Sequence, residues 1–153
     1  MSNFYFDTSA LVKHYLLEPG SHWVQTLLRG RYTLVFTSEL TSIETVCTFA
    51  RRRREKLLME GDFGQVLTIF QYDFIHRYIS MQVEAAVLDA AQQLATRHPL
   101  RAYDAVHLAT AWFANGELLR AREAPLTFVC ADERLLAIAQ AEGLSTVNPN
   151  DYP

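Results

Sequence analysis

Hydrophobic and polar positions alternate along this chain between two periods, the short runs of strands and the three-and-four spacing of helices. Asn3 to Phe6 is an aromatic-rich run that meets Asp7, Thr8 and Ser9, a pattern that predicts a strand and then a helix from about Ala10. Glu18, Pro19 and Gly20 close that helix, Ser21 opens a second one to about Leu28, and Gly30 ends it. Tyr32 to Phe36 is β-branched and aromatic enough for a second strand. Thr37 and Ser38 then offer caps to a long helix reaching roughly Lys56, with Leu40, Ile43, Cys47 and Ala50 as its apolar stripe. A further helix is predicted over Asp62 to Arg77, on the broad face of Phe63, Val66, Leu67, Phe70, Phe74 and Ile75. Tyr78 to Val83 reads as a third strand, Glu84 to Arg97 as a helix, and His98 and Pro99 stop it before another opens near Ala102. Leu126 to Ala131 runs apolar in the manner of a strand buried on both faces. Asp132 introduces a helix from Glu133 to Glu142, and Ser145 to Val147 forms a last edge strand.

Strands separated by helices imply right-handed crossovers and a parallel sheet covered on both faces, an α/β class. No repeat or linker interrupts residues 1–153, so one domain is expected, and 153 residues is about the length of one. In open sheets of this kind ligands bind outside the carboxyl ends of the strands. Composition narrows the partners: half the residues are apolar and 12% aromatic, which excludes a disordered chain. The 14 basic and 17 acidic residues leave a net charge of −3, so any nucleic acid must be held by a local patch. Cys47 and Cys130 stand in apolar stretches without metal-ligand spacing, as small buried hydrophobes do in a reducing compartment. The N-terminus lacks a basic signal region, and the longest apolar run, Leu135 to Ala139, is far shorter than the ~20 residues of a membrane helix. The expectation is a cytoplasmic protein with no membrane partner.

Four acids collect at the sheet's carboxyl edge. Asp7 follows the first strand and Asp132 the apolar one. Glu44 lies two turns into the long helix on the side of Leu40 and Cys47, and Asp104 opens a helix among Ala102, Ala105 and Val106. Asp7 and Asp132 can each serve as helix caps, worth ~1 kcal/mol, and Asp104 can complement a helix dipole. Glu44 has no such role, because an inward acid is costly unless it is paired or bound to a cation. Four converging carboxylates would repel one another and stay partly protonated. A hard divalent cation, Mg²⁺ or Mn²⁺, resolves both problems, since it takes oxygen ligands and keeps several waters.

Asp7-Thr8-Ser9-Ala10 after a short strand, Ser38 through Glu44 with Arg51 or Arg52 downstream, LRAYDAVHLATA over Leu100 to Ala111, and FVCADERL over Phe128 to Leu135 together resemble the PIN-domain ribonucleases. The likeness is greatest to the VapC group, toxins of type II toxin–antitoxin modules, and it spans Asn3 to about Pro149. It implies a three-layer fold with a five-stranded parallel sheet in the order 3-2-1-4-5, a Mg²⁺ or Mn²⁺ site that cleaves RNA, a homodimer, and inhibition by an antitoxin of the VapB type. By position it implies Asp7 and Asp104 as direct metal ligands, with Glu44 and Asp132 completing the site. One departure is visible: the family often has Thr two residues before its last acid, where Cys130 stands here.

In that reading a metal-activated water attacks the phosphodiester, leaving a 5′ phosphate and a 3′ hydroxyl, and no histidine is required. His107, one turn after Asp104 and the only histidine near the site, is read as a packed or surface residue with substrate contact as the alternative, and His14 is read the same way. Arg51 to Arg54 are the one dense basic run, read as solvated surface with part available to RNA phosphates or an acidic antitoxin segment. Tyr72, Phe74, Tyr78 and Trp112 are expected in the core or a dimer contact. A haloacid-dehalogenase-type phosphotransferase needs a second Asp where Ser9 stands, and a receiver domain needs paired acids and a late Lys that are missing. The alternative that remains is a non-catalytic PIN-like module that binds RNA or protein.

Overall fold

The computed structural model describes residues 1–152. Five strands form one parallel sheet: β1 (Ser2–Phe6), β2 (Thr33–Ser38), β3 (Ile79–Met81), β4 (Leu126–Val129) and β5 (Ser145–Val147). Their spatial order is β3-β2-β1-β4-β5, with Asn3 of β1 opposite Leu34 on one side and Leu126 on the other. Helices α1 (Thr8–Leu11), α2 (Ser21–Leu28), α3 (Leu40–Arg54) and α4 (Glu60–His76) pack largely on one face, where Phe6, Val35 and Val129 meet Val24, Phe49 and Phe70. Helices α5 (Ala85–Arg97), α6 (Ala102–Arg120) and α7 (Glu133–Ala141) cover the other, where Tyr5, Phe36 and Phe128 meet Leu94, Leu108 and Leu136. Alternation along β1 thus sends Tyr5 into one layer and Phe6 into the other. The fold is the expected three-layer α/β arrangement.

Several local boundaries differ from the sequence expectation. The first helix begins at Thr8, where Asp7 caps it by accepting the N–H of Ala10 three residues on, and it tightens into a 3₁₀ turn over Val12–His14 instead of running on to Glu18. β2 extends through Thr37 and Ser38, so these hydroxyls are not helix caps of the usual kind. Thr37 donates to Phe6 O at 2.8 Å and lies 2.7 Å from the Thr41 hydroxyl, while Ser38 Oγ accepts the Leu40 N–H. On α3 the buried stripe is Thr41, Thr45 and Phe49, displacing the predicted stripe: Ile43 is 54% exposed and Cys47 is on the surface. Cys47 is therefore not the buried hydrophobe its neighbours suggested, whereas Cys130 is. Tyr72 and Trp112 are also exposed, while Tyr78 is buried. β4 stops at Val129, which leaves Cys130 and Ala131 as a connection to the α7 cap at Asp132. Among the described residues no helix is long and apolar enough to cross a membrane.

Candidate active site

The carboxyl ends of β1 and β4 bring Asp7 and the Cys130–Asp132 connection side by side. Asp7 is buried, and its carboxylate accepts the Ser9 hydroxyl at 2.8 and 2.9 Å, the Ala10 N–H at 3.0 Å and the Cys130 thiol at 3.1 Å. Ser9 Oγ in turn accepts the Ala131 N–H at 3.0 Å, and Cys130 Sγ accepts the Asp132 N–H at 3.2 Å. The Cys130 thiol thus bonds Asp7 directly and ties its position to the backbone of Asp132. Burial holds the Asp7 carboxyl above its ordinary value, opposed by His107 and by these hydrogen bonds.

Asp104, in the first turn of α6, is half-buried, and its carboxylate has no hydrogen bond or ion pair among the described residues. Its pKa is raised first by burial and then by the charges of Asp7 and Asp132, so the three aspartates act on one another. Asp132 has a different occupation. Its Oδ1 caps α7 through the N–H groups of Arg134 at 2.9 Å and Leu135 at 3.4 Å, and Arg134 approaches Oδ2 at 3.5 Å. Desolvation raises its pKa, but these donors together bring it below the ordinary value. Glu44 stands on the cleft side of α3, and its Oε1 lies 3.0 Å from His107 Nε2. Desolvation raises its pKa, but the His107 hydrogen bond and charge, with help from the Thr8 hydroxyl, bring it below the ordinary value. His107 itself is buried, contrary to any surface role, with Nδ1 2.9 Å from the Tyr5 hydroxyl. The sequence signal for it was its place three residues after Asp104 on the same face of α6.

Of the four acids, Glu44 and Asp104 line a cleft of about 710 Å³ with Thr8, Arg51, Arg101 and Tyr103, while Asp132 lines a neighbouring pocket that shares Arg101 and Asp104. Arg51 and Arg101 are exposed on the cleft walls and form no ion pair among the described residues. Two others of the arginine run are committed elsewhere. Arg52 pairs with Glu18, and Arg53 bonds Glu60 at 3.2 Å and lies 4.0 Å over the Phe63 ring. Glu18 also pairs with the buried Lys13 at 3.4 Å, whose ammonium donates to Pro19 O at 3.0 Å. That pair anchors the loop behind the cleft, and nothing in the sequence marked Lys13 for burial.

No three His, Cys, Asp or Glu side chains among the described residues close into a metal-holding group. The donors nevertheless suit a cation that keeps most of its waters. Asp104 has no hydrogen bond or ion pair among the described residues, and burial raises the pKa of both it and Asp7, a cost of charge that a divalent ion offsets.

A parallel sheet in the order 3-2-1-4-5 with aspartates at the ends of two adjacent inner strands defines an acid-centred α/β domain. The PIN domain model matches residues 4–141, and the chain belongs to that family. No curated protein matches it by sequence. Among solved structures it is similar to FitAcB from Neisseria gonorrhoeae at 17% identity and a TM-score of 0.60, with 95% of this chain and 97% of that chain covered. It is similar also to VapBC2 from Rickettsia felis bound to a promoter DNA fragment, at 14% identity and a TM-score of 0.63, covering 95% and 98%. A toxin–antitoxin complex from Klebsiella pneumoniae is a third, at 18% identity and 0.56, covering 95% and 97%. At these identities the likeness is one of fold.

Proposed function

We propose that this chain is a Mg²⁺- or Mn²⁺-dependent endoribonuclease and the toxin of a toxin–antitoxin pair. The observation that carries the reading is the unpaired Asp104 carboxylate beside buried Asp7, in a PIN fold and in a cleft walled by two free guanidinium groups. A divalent ion held by Asp7 and Asp104 would supply the positive charge that acidifies an attacking water and stabilises the phosphoryl oxygens. Glu44, ionised and anchored at one oxygen, accepts the water's proton. Asp132 holds the start of α7 and adds negative charge to the site. Arg51 and Arg101 hold phosphates on either side of the scissile bond. Attack by water yields a 5′ phosphate and a 3′ hydroxyl.

The partner half of the proposal draws on the toxin–antitoxin setting of the similar Klebsiella chain. An antitoxin segment carrying a basic side chain would satisfy Asp104 in place of the ion. A homodimer and a cytoplasmic site of action complete the reading, with Ile69, Tyr72 and Ile75, exposed on α4, as the apolar dimer contact. The deciding experiment is cleavage of RNA by the protein purified without a partner. Products should form with Mg²⁺ or Mn²⁺ and cease in EDTA; cleavage that persists in EDTA overturns the metal reading.

The guanidinium groups give a second measurable expectation. Removing one phosphate contact should flatten the dependence of log affinity on log salt by about 0.7 for a single strand. Arg51→Ala and Arg101→Ala should each do this for RNA binding, and Arg51→Ala, which removes no charge acting on Asp104, should leave Mn²⁺ affinity unchanged. An unaltered salt slope in both variants would mean that RNA does not follow this cleft.

A further inference from the structure

We infer that His107 is a positioning residue for Glu44 and that Tyr5 sets the tautomer of its ring. The role given to Glu44 rests on the nuclease reading above; the relay itself rests on contacts. The imidazole is 2% exposed, with Nδ1 2.9 Å from the Tyr5 hydroxyl and Nε2 3.0 Å from Glu44 Oε1. An ionised carboxylate only accepts hydrogen bonds, so Nε2 carries the hydrogen. In the neutral ring Nδ1 is then bare and accepts the Tyr5 O–H. Each donor in the chain Tyr5–His107–Glu44 therefore meets an acceptor.

Folding alone does not call for this arrangement. Phe at position 5 would keep the ring stacked on Phe128, where the centroids are 5.6 Å apart, and an apolar residue at 107 would leave no buried polar group to satisfy. What the polar chain adds is a fixed carboxylate. Glu44 ends a flexible side chain on an open cleft wall, and the ring restricts where its Oε1 can go. The relay also joins three of the four elements that supply acids. Tyr5 lies two residues before Asp7 on β1, His107 one turn after Asp104 on α6, and Glu44 on α3. A shift of any one element against the others would strain the chain of hydrogen bonds. Outer contacts of this kind hold reactive carboxylates and ligands in register.

A double-mutant cycle read as single-turnover RNA cleavage tests the inference. His107→Leu and Glu44→Gln should each lower the cleavage rate about 10- to 100-fold, with the half-saturating RNA concentration unchanged. The double variant should be no slower than Glu44→Gln alone, because His107 acts through that carboxylate. His107→Gln, whose amide N–H can reach Glu44, should recover part of the loss, and Tyr5→Phe should be slower than the parent. Multiplying losses in the double variant, or His107→Gln no better than His107→Leu, overturns the relay. The nitrogen spectrum of the metal-free protein gives a readout independent of cleavage and of whether His107→Leu folds. It should show His107 protonated at Nε2 and bare at Nδ1, and hydrogen on Nδ1 alone overturns the inference. A chain with the expected spectrum that cleaves no RNA under any metal would instead defeat the nuclease reading and leave the relay standing.

Discussion

Asp104→Asn should abolish most RNA cleavage, a loss of about 100-fold or more at any metal concentration, because it removes the one site carboxylate with no hydrogen bond or ion pair among the described residues. Asn keeps the shape and the first-turn position but presents a neutral oxygen to the ion. Asp132→Asn should behave differently. Its working oxygen already accepts two backbone N–H groups at the start of α7, and Asn caps a helix as well as Asp. That variant should stay folded and lose less than about tenfold, recovering at higher Mn²⁺. Cleavage measured against Mn²⁺ concentration, with Mn²⁺ binding followed by spin resonance on the same proteins, separates the two. An Asp132 variant as inactive as the Asp104 variant throughout the titration would show that the cap also reaches the ion.

The sheet order and the two helical layers were legible because the strands announce themselves by short apolar runs and the crossover rule leaves few ways to connect them. The aspartates were legible for a related reason: Asp7 and Asp132 stand at strand-to-helix turns, where chain order alone assigns them to the carboxyl edge. Side-chain commitments within helices were harder to read. On α3 the three-and-four spacing selected Leu40, Ile43 and Cys47, yet the interior holds Thr41 and Thr45. The Thr41 hydroxyl is met by that of Thr37, which offsets its burial, whereas the Thr45 hydroxyl is buried with no hydrogen-bond partner among the described residues, so no polar contact accounts for it. The arginine run shows the same limit. Four consecutive positions cover more than one face of a helix, and only the structure shows that Arg52 and Arg53 are spent on Glu18, Glu60 and Phe63 while Arg51 faces the cleft. His107 illustrates it most directly, since its partners lie 63 and 102 residues away in sequence.

Asp7→Asn should raise the thermal stability of the metal-free protein while removing its activity. The folded state holds the Asp7 carboxyl above its ordinary value of 3.8, chiefly through burial, so ionising it there costs more than in the unfolded chain. Between the ordinary value and the raised one, the folded protein retains a proton that the unfolded chain has lost. Stability from this group therefore falls as pH rises through that window, and the full cost is present above it. Asn has no charge to bury. Its oxygen can still accept the Ala10 N–H and the Ser9 hydroxyl, and its amide can face Ser9 Oγ and Cys130 Sγ. The melting temperature of Asp7→Asn should accordingly exceed the parent's at neutral pH, and the gap should close as pH falls toward 4. For a chain of this length a gain of about 1 kcal/mol corresponds to roughly 2–4 °C. Glu44 and Asp132, whose pKa values are lowered, contribute in the opposite sense, losing stability as pH falls; taking the variant-minus-parent difference cancels them. Added Mg²⁺ or Mn²⁺ should then reverse the order, stabilising the parent by mass action and the variant little. A variant that melts below the parent in EDTA at neutral pH would show that Asp7 serves the fold as a cap more than it strains it as a buried charge.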